Sequence, residues 1–161
     1  MSQQEILDQY NQFILSTYTR TPAIFVKGKG MTLVDIAGKK YLDFFPGWGV
    51  SNVGHCHPKV MAAVRDQIGK LIHIPNNFYH PQQVKLASEI IRNAFPGKVF
   101  FCNSGAEASE AAIKFSRAYG TAQALQTGSE KRYEIITMQN SFHGRTCGAL
   151  SATGQKKYSQ G

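Results

Sequence analysis

The sequence predicts an α/β fold, and three patterns in it carry that expectation. Short β-prone runs separated by glycine turns occupy residues 24–45, two amphipathic helical repeats follow, and a strand-helix-strand series spans residues 98–138. A strand, a helix and a second strand in that order imply a right-handed parallel crossover, the opening of an α/β sheet.

The elements are justified in chain order. Glu5 to Ser16 places Ile6, Tyr10, Phe13 and Ile14 at near-helical spacing, a short amphipathic helix. After Pro22 the runs Ile24–Lys27, Met31–Ile36 and Lys40–Phe45, broken at Gly28, Gly30 and Ala37-Gly38, read as a small antiparallel meander. Pro46-Gly47-Trp48-Gly49 reads as a loop. Pro58 suits a first helical turn, and Val60, Val64, Ile68, Leu71 and Ile72 follow as one stripe expected to be buried. A second helix carries Val84, Ala87, Ile90, Ile91 and Ala94 and stops at Pro96-Gly97. Lys98 to Cys102 is then expected as a strand. The helix opening at Ser104 has the best 3.6-residue period in the chain, with Ala108, Ala111, Ala112, Phe115, Ala118 and Tyr119 on one face. A polar loop at Thr127-Gly128-Ser129 leads to the strand Tyr133 to Met138. The glycine-rich stretch Gly144 to Gly161 shows no closing element, and a two-stranded parallel sheet is too small to be covered on both faces. The expectation is an amino-terminal portion of a larger protein.

Composition narrows the class. With 161 residues, 42% hydrophobic, 15 Gly and 6 Pro, the chain is neither disordered nor collagenous, and its length suffices for a core without staples. Three cysteines in no CxxC pairing, Cys56, Cys102 and Cys147, argue for packed thiols in a reducing, cytoplasmic setting. No apolar stretch approaches the roughly 18 to 20 residues of a membrane span, and Glu5 and Asp8 stand where a signal peptide would be basic and then apolar. The net charge of +8 is dispersed, +1 over residues 1–50, +4 over 51–100 and +3 over 101–161, with no basic run longer than two. Nucleic acid needs a concentrated stripe that releases many counterions together, so an anionic small molecule fits better. His55-Cys56-His57, His73 and His80 lack the spacing of structural zinc motifs, and no metal is expected.

Chemistry concentrates in two turns. At Phe101-Cys102-Asn103-Ser104-Gly105-Ala106-Glu107 the chain enters a helix through small residues, leaving backbone N–H groups and the positive end of the helix dipole directed outward. That is an anion cradle, and Gly105 and Ala106 permit close approach of a phosphate. The same spacing also describes a plain capping box between Ser104 and Glu107. The second turn, Asn140-Ser141-Phe142-His143-Gly144-Arg145, follows the next expected strand. Ligands of open α/β sheets bind outside the carboxyl ends of strands, so both turns should face one crevice. An aromatic face there suits a planar heterocycle, and arginine grips a carboxylate bidentately; ordinary packing and a solvated charge are the plainer alternatives.

These residues carry a resemblance. Ser104-Gly-Ala-Glu-Ala-Ser-Glu-Ala-Ala-Ile-Lys114, Ser141-Phe-His-Gly-Arg-Thr146 and Ser151-Ala-Thr-Gly154 resemble the acetylornithine aminotransferase group of class III pyridoxal-phosphate transaminases. Lys27-Gly-Lys-Gly30, Gly38-Lys-Lys-Tyr-Leu-Asp43, Gly54-His55 with His57-Pro58, and Lys98-Val-Phe-Phe101 extend it along nearly the whole chain. The resemblance implies a fold-type-I pyridoxal-phosphate transferase, with residues 1–57 in the small domain and 58–161 opening the large cofactor-binding domain. It implies that Ser104, Gly105 and Ala106 bind the phosphate of pyridoxal 5'-phosphate, Phe142 stacks on its ring with His143 beside it, and Arg145, helped by Tyr18, takes the substrate carboxylate. Trp48 falls at a substrate-pocket position where acetylornithine enzymes usually carry a smaller aliphatic residue.

The implied reaction moves an amino group from N2-acetylornithine to 2-oxoglutarate in arginine biosynthesis, in a homodimer. An ornithine, succinylornithine or other ω-amino-acid donor shares every motif, and a catalytically inactive truncated or partner fragment is the remaining alternative. The family's Schiff-base lysine and the aspartate that pairs with the pyridinium nitrogen fall beyond Gly161, and Lys114, Lys156 and Lys157 do not replace that lysine. The 161 residues alone are therefore expected not to transaminate.

Overall fold

The computed structural model describes residues 1–158 and divides into two units, Met1–His80 and a second from Pro81 onward. In the first unit, α1 (Gln3–Phe13) opens with a capping box: the Glu5 N–H donates to Ser2 Oγ at 3.2 Å, and Glu5 Oε2 accepts from the Ser2 N–H at 2.7 Å.

The expected meander forms. β1 (Phe25–Lys29), β2 (Thr32–Asp35) and β3 (Lys40–Leu42) pair antiparallel in the order β1-β2-β3, with Leu33 opposite Gly28 on one side and Tyr41 on the other. The β2–β3 turn is held by one carboxylate. Asp35 accepts from the N–H groups of Ala37 and Lys39 and from the Tyr41 hydroxyl at 2.8–3.0 Å, and Gly38 supplies the positive φ of +83°. The Tyr41 hydroxyl bond holds the Asp35 carboxyl below its usual pKa, and the same bond raises that of Tyr41.

His55 fastens the next loop back onto this sheet. Its backbone exchanges two 2.8 Å hydrogen bonds with Gly30, and its ring Nε2 lies 2.6 Å from Asp43 Oδ2. Gly28 makes room for the ring, since a Cβ there would sit 2.9 Å from His55 Cβ. Between these ties, Gly47–Gly49 form a 3-10 turn in which φ is positive at all three residues, Trp48 included at +57°. The Trp48 indole is 91% exposed and meets Phe45 edge-on at 5.2 Å.

α2 (Pro58–Ile68) begins with Pro58 in its first turn. In the second unit, α3 (Pro81–Asn93) is followed by α4 (Gly105–Thr127), which runs eight residues past Tyr119 and ends on Gly128 in the left-handed conformation. Two expectations fail here. Lys98–Cys102 and Tyr133–Met138 are irregular, because neither finds a ladder partner among the described residues. The second segment instead lies against α4: Gly120 admits the Arg132 carbonyl where a Cβ would collide, and Arg117 Nε donates to the Tyr133 carbonyl at 3.1 Å. The glycine-rich stretch expected to show no closing element contains α5 (Cys147–Ala152) and a 3-10 turn at Lys156–Tyr158; its last three residues lie outside the described ones.

The expected core does not form among the described residues. Among the described residues the buried apolar side chains are Ala124 and Ala149, while Val60, Val64 and Ile68 on α2 and Phe115 and Tyr119 on α4 stay exposed. Burying one such side chain contributes roughly 1.5–3 kcal/mol, and that contribution is not collected here. Local hydrogen bonds carry correspondingly more of the order.

Two predictions follow from the first unit. Gly54→Ala forces a side chain into φ +80° and to 2.9 Å from the Gly30 carbonyl oxygen, so chemical denaturation should show a loss of about 1 kcal/mol or more. The bond from His55, then the Phe45 N–H, holds the Asp43 carboxyl below its usual 3.8. A depressed carboxylate pKa gives stability that is present above pH 3.8 and lost as the pH falls through the folded value. Asp43→Asn should therefore flatten the acid side of the stability profile.

Candidate functional site

Ser104 caps α4 in an extended conformation, and its Oγ accepts from the Glu107 N–H at 3.1 Å. Glu107 reaches back one residue beyond the expected partner: its Oε2 accepts from the Asn103 N–H at 2.7 Å, which is the main reason its pKa is lowered. The first turn of a helix has N–H groups without a helical acceptor, and the cap satisfies only that of Glu107. Those of Gly105 and Ala106 remain directed off the helix end, and a Cβ on Gly105 would meet nothing within 4 Å. The Ser104 hydroxyl lies 3.4 Å from Glu107 Oε2, a loose bond whose proton is readily redirected.

The second turn is laid onto the first. Gly144 is buried at φ +135°, and a Cβ on it would stand 2.8 Å from the Ala106 Cβ and 2.9 Å from that of Ala149. The two turns thus meet at Ala106 and Gly144. Thr153 fixes this arrangement from below the turn: buried, it accepts from the His143 N–H at 3.0 Å, and its hydroxyl lies 3.2 Å from the Gly144 carbonyl and 3.0 Å from that of Ala149. Gly154 pairs with Asn140 and Ser141 through backbone bonds of 3.1 Å, closing the loop base.

Beside this turn, Phe142 is 52% exposed and meets Tyr158 edge-on at 5.5 Å. The Arg145 guanidinium lies 5.9 Å from the Phe142 ring centre and 5.1 Å from that of Tyr158, with the Lys157 ammonium 4.8 Å from the latter. Lys157 first, and Arg145 after it, lower the Tyr158 pKa. Two cations beside aromatic rings, on a segment whose Gly144 packs against Ala106, favour an anionic, planar ligand.

The predicted residues Ser104, Gly105, Ala106, Phe142, His143 and Arg145 all lie in the second unit. Tyr18 and Trp48 belong to the first. There Tyr18 lines a cavity of about 930 Å³ with Tyr10, Arg20 and Phe25. Among the described residues no three His, Cys, Asp or Glu side chains gather as a metal site, and no helix is long and apolar enough to cross a membrane. Sequence reasoning missed Glu110, Thr153 and Tyr158. Thr153 and Glu110 sat within the motifs but act through the fold, and Tyr158 carried no local signal.

The family profile described as aminotransferase class-III matches residues 14–161. The chain belongs to the class-III aminotransferase family. Its relatives agree. It is 48% identical to the acetylornithine aminotransferase of Methanocaldococcus jannaschii over all of this chain and 39% of that protein. It is 50% identical to that of Caldanaerobacter subterraneus subsp. tengcongensis over 93% of this chain and 37% of that protein. The chain therefore spans under two fifths of the length of these curated relatives. Among solved structures, the ornithine aminotransferase of Toxoplasma gondii, described with partial occupancy of pyridoxal phosphate at its active site, matches at a TM-score of 0.87. That match has 28% identity over 98% of this chain and 37% of that one. These neighbours place the chain in fold type I, although Lys98–Cys102 and Tyr133–Met138 find no ladder partner among the described residues.

The packing of Gly144 gives a test within this class-III segment. Gly144→Ala should separate the two turns, lower the thermal midpoint by several degrees and weaken retention of an anionic ligand at α4.

Proposed function

We propose that the complete enzyme carrying this segment transfers an amino group from N2-acetylornithine to 2-oxoglutarate, with pyridoxal phosphate as cofactor, in the cytoplasm and as a homodimer serving arginine biosynthesis. What supports the reading is the contact of Gly144 with Ala106, which sets a ring-stacking and cationic loop beside the N–H cradle of α4. Residues 1–57 then belong to the small domain and 58–161 to the large one.

The cofactor's phosphate is a dianion with three acceptor oxygens, and the residues present suit it. The Gly105 and Ala106 N–H groups and the Ser104 hydroxyl supply donors at a helix N-terminus, where the dipole adds a partial positive charge. Phe142 offers its exposed face to the ring, and His143 stands beside it on a backbone pinned by Thr153. When bound, the cofactor supplies the electron sink that amino-group exchange requires. Arg145 holds the carboxylate of the incoming amino acid, so orientation of the substrate falls to this chain.

Trp48 favours a second reading. Its 91% exposed indole on a left-handed turn stands where the resemblance expects a smaller aliphatic residue in acetylornithine enzymes, which leaves room for ornithine, succinylornithine or another ω-amino acid as the donor. Relative kcat/KM over a panel of these donors separates the readings: a preference for N2-acetylornithine supports the first, and its failure as a donor refutes it.

In the complete enzyme, Arg145→Ala should raise KM for the amino donor about tenfold or more while cofactor retention stays unchanged. Equal loss of both would count against its role. Gly105→Val should instead release the cofactor on dialysis, because branching beside the two donors crowds the phosphate.

A further inference from the structure

The Glu110 carboxylate binds within the fold through one of its oxygens, and its position gives it a task. It lies on α4, one turn beyond Ala106, and its Oε1 accepts three hydrogen bonds: from the Thr146 hydroxyl at 2.6 Å, the Gly148 N–H at 2.9 Å and the Ala149 N–H at 3.2 Å. These donors hold its pKa below the usual 4.5, the Thr146 hydroxyl most of all. The two amides belong to the first turn of α5 and have no acceptor inside that helix. Gly148 is the residue that makes this possible, since a Cβ there would overlap the carboxylate.

The residue next to Thr146 is Arg145. On its other side the backbone is fixed by Gly144 against Ala106 and Ala149, with the Thr153 hydroxyl beside the Gly144 carbonyl. We infer that Glu110 is a positioning residue for Arg145: it anchors the start of α5 to α4, so that the guanidinium stands at a fixed place relative to the N–H cradle. This inference rests on the reading that Arg145 receives a substrate carboxylate. It places specificity for anionic substrates partly in a residue that touches none of them.

Electrostatics and positioning make opposite demands on Glu110. As a nearby anion it weakens the pull of Arg145 on a carboxylate, so its removal would tighten anion binding if charge alone counted. As an anchor, its removal frees Thr146 and two amides, lets the arginine wander and weakens binding; a displacement of about 1 Å costs up to about a hundredfold. Because all three bonds land on one oxygen, glutamine can reproduce them through its amide carbonyl.

The test uses the holoenzyme and glutarate, a dicarboxylate with neither amino nor oxo group, as competitive inhibitor. Its Ki, the retention of pyridoxal phosphate on dialysis and the thermal midpoint are compared across Glu110→Ala, Glu110→Gln, Thr146→Val and Arg145→Ala. The expected result is a Ki raised about tenfold or more in Glu110→Ala, with cofactor retention intact, and restored to near wild type in Glu110→Gln. If Arg145→Ala raises Ki and Glu110→Ala leaves it unchanged or lowers it, the positioning role is overturned while the carboxylate reading stands. If Arg145→Ala itself leaves Ki unchanged, the underlying reading fails. Should Glu110→Ala not fold, Thr146→Val decides: a Ki raised severalfold supports the anchor, and an unaltered Ki overturns it.

Discussion

The arrangement depends on one close approach. Gly144, buried at φ +135°, lies against Ala106 at a separation that leaves no space for a methyl group. Through that contact a loop bearing Phe142, His143 and Arg145 comes to rest beside the open end of α4. A larger residue at either position would push the aromatic and cationic groups away from the N–H donors. The small residues of the Ser104-Gly105-Ala106 turn thus serve two purposes, leaving donors accessible and admitting the neighbouring loop.

Around that contact the order is maintained by polar bonds more than by a core. Thr153 and Glu110 each gather several donors or acceptors from the His143–Ala149 segment, and Asp35 and His55 do the same for the loops of the meander. A buried or half-buried group that satisfies several partners at once fixes a backbone, because moving it leaves all of them unpaired. The apolar stripes of α2 and α4 remain exposed, so side-chain packing contributes little within the described residues. This balance also explains why the segments before α4 and after it stay irregular: strands are made by neighbours, and helices are made by their own backbone.

Much of the fold was legible because its signals are local. The meander turns at Gly30 and Gly38, the helix start at Pro58 and the Ser104 cap each follow from the residues that occupy them. The length of α4 was less so, since Gly120 looks weak as a helix residue and matters through the Arg132 carbonyl that lies on it. α5 was hidden for a similar reason. Six residues are too few for a helix to hold by its own backbone, and its first amides depend on a carboxylate 38 and 39 positions away in sequence.

The sequence by itself determined the family and the two turns with their small, aromatic and cationic residues, because capping, glycine turns and motif spacing act over a few residues. Only the tertiary structure decided that these turns touch, that Glu110 and Thr153 hold the arginine loop, and that Tyr158 shares its cation. Those facts depend on which backbone comes near which, and a linear pattern does not specify a contact between a glycine and an alanine 38 residues apart.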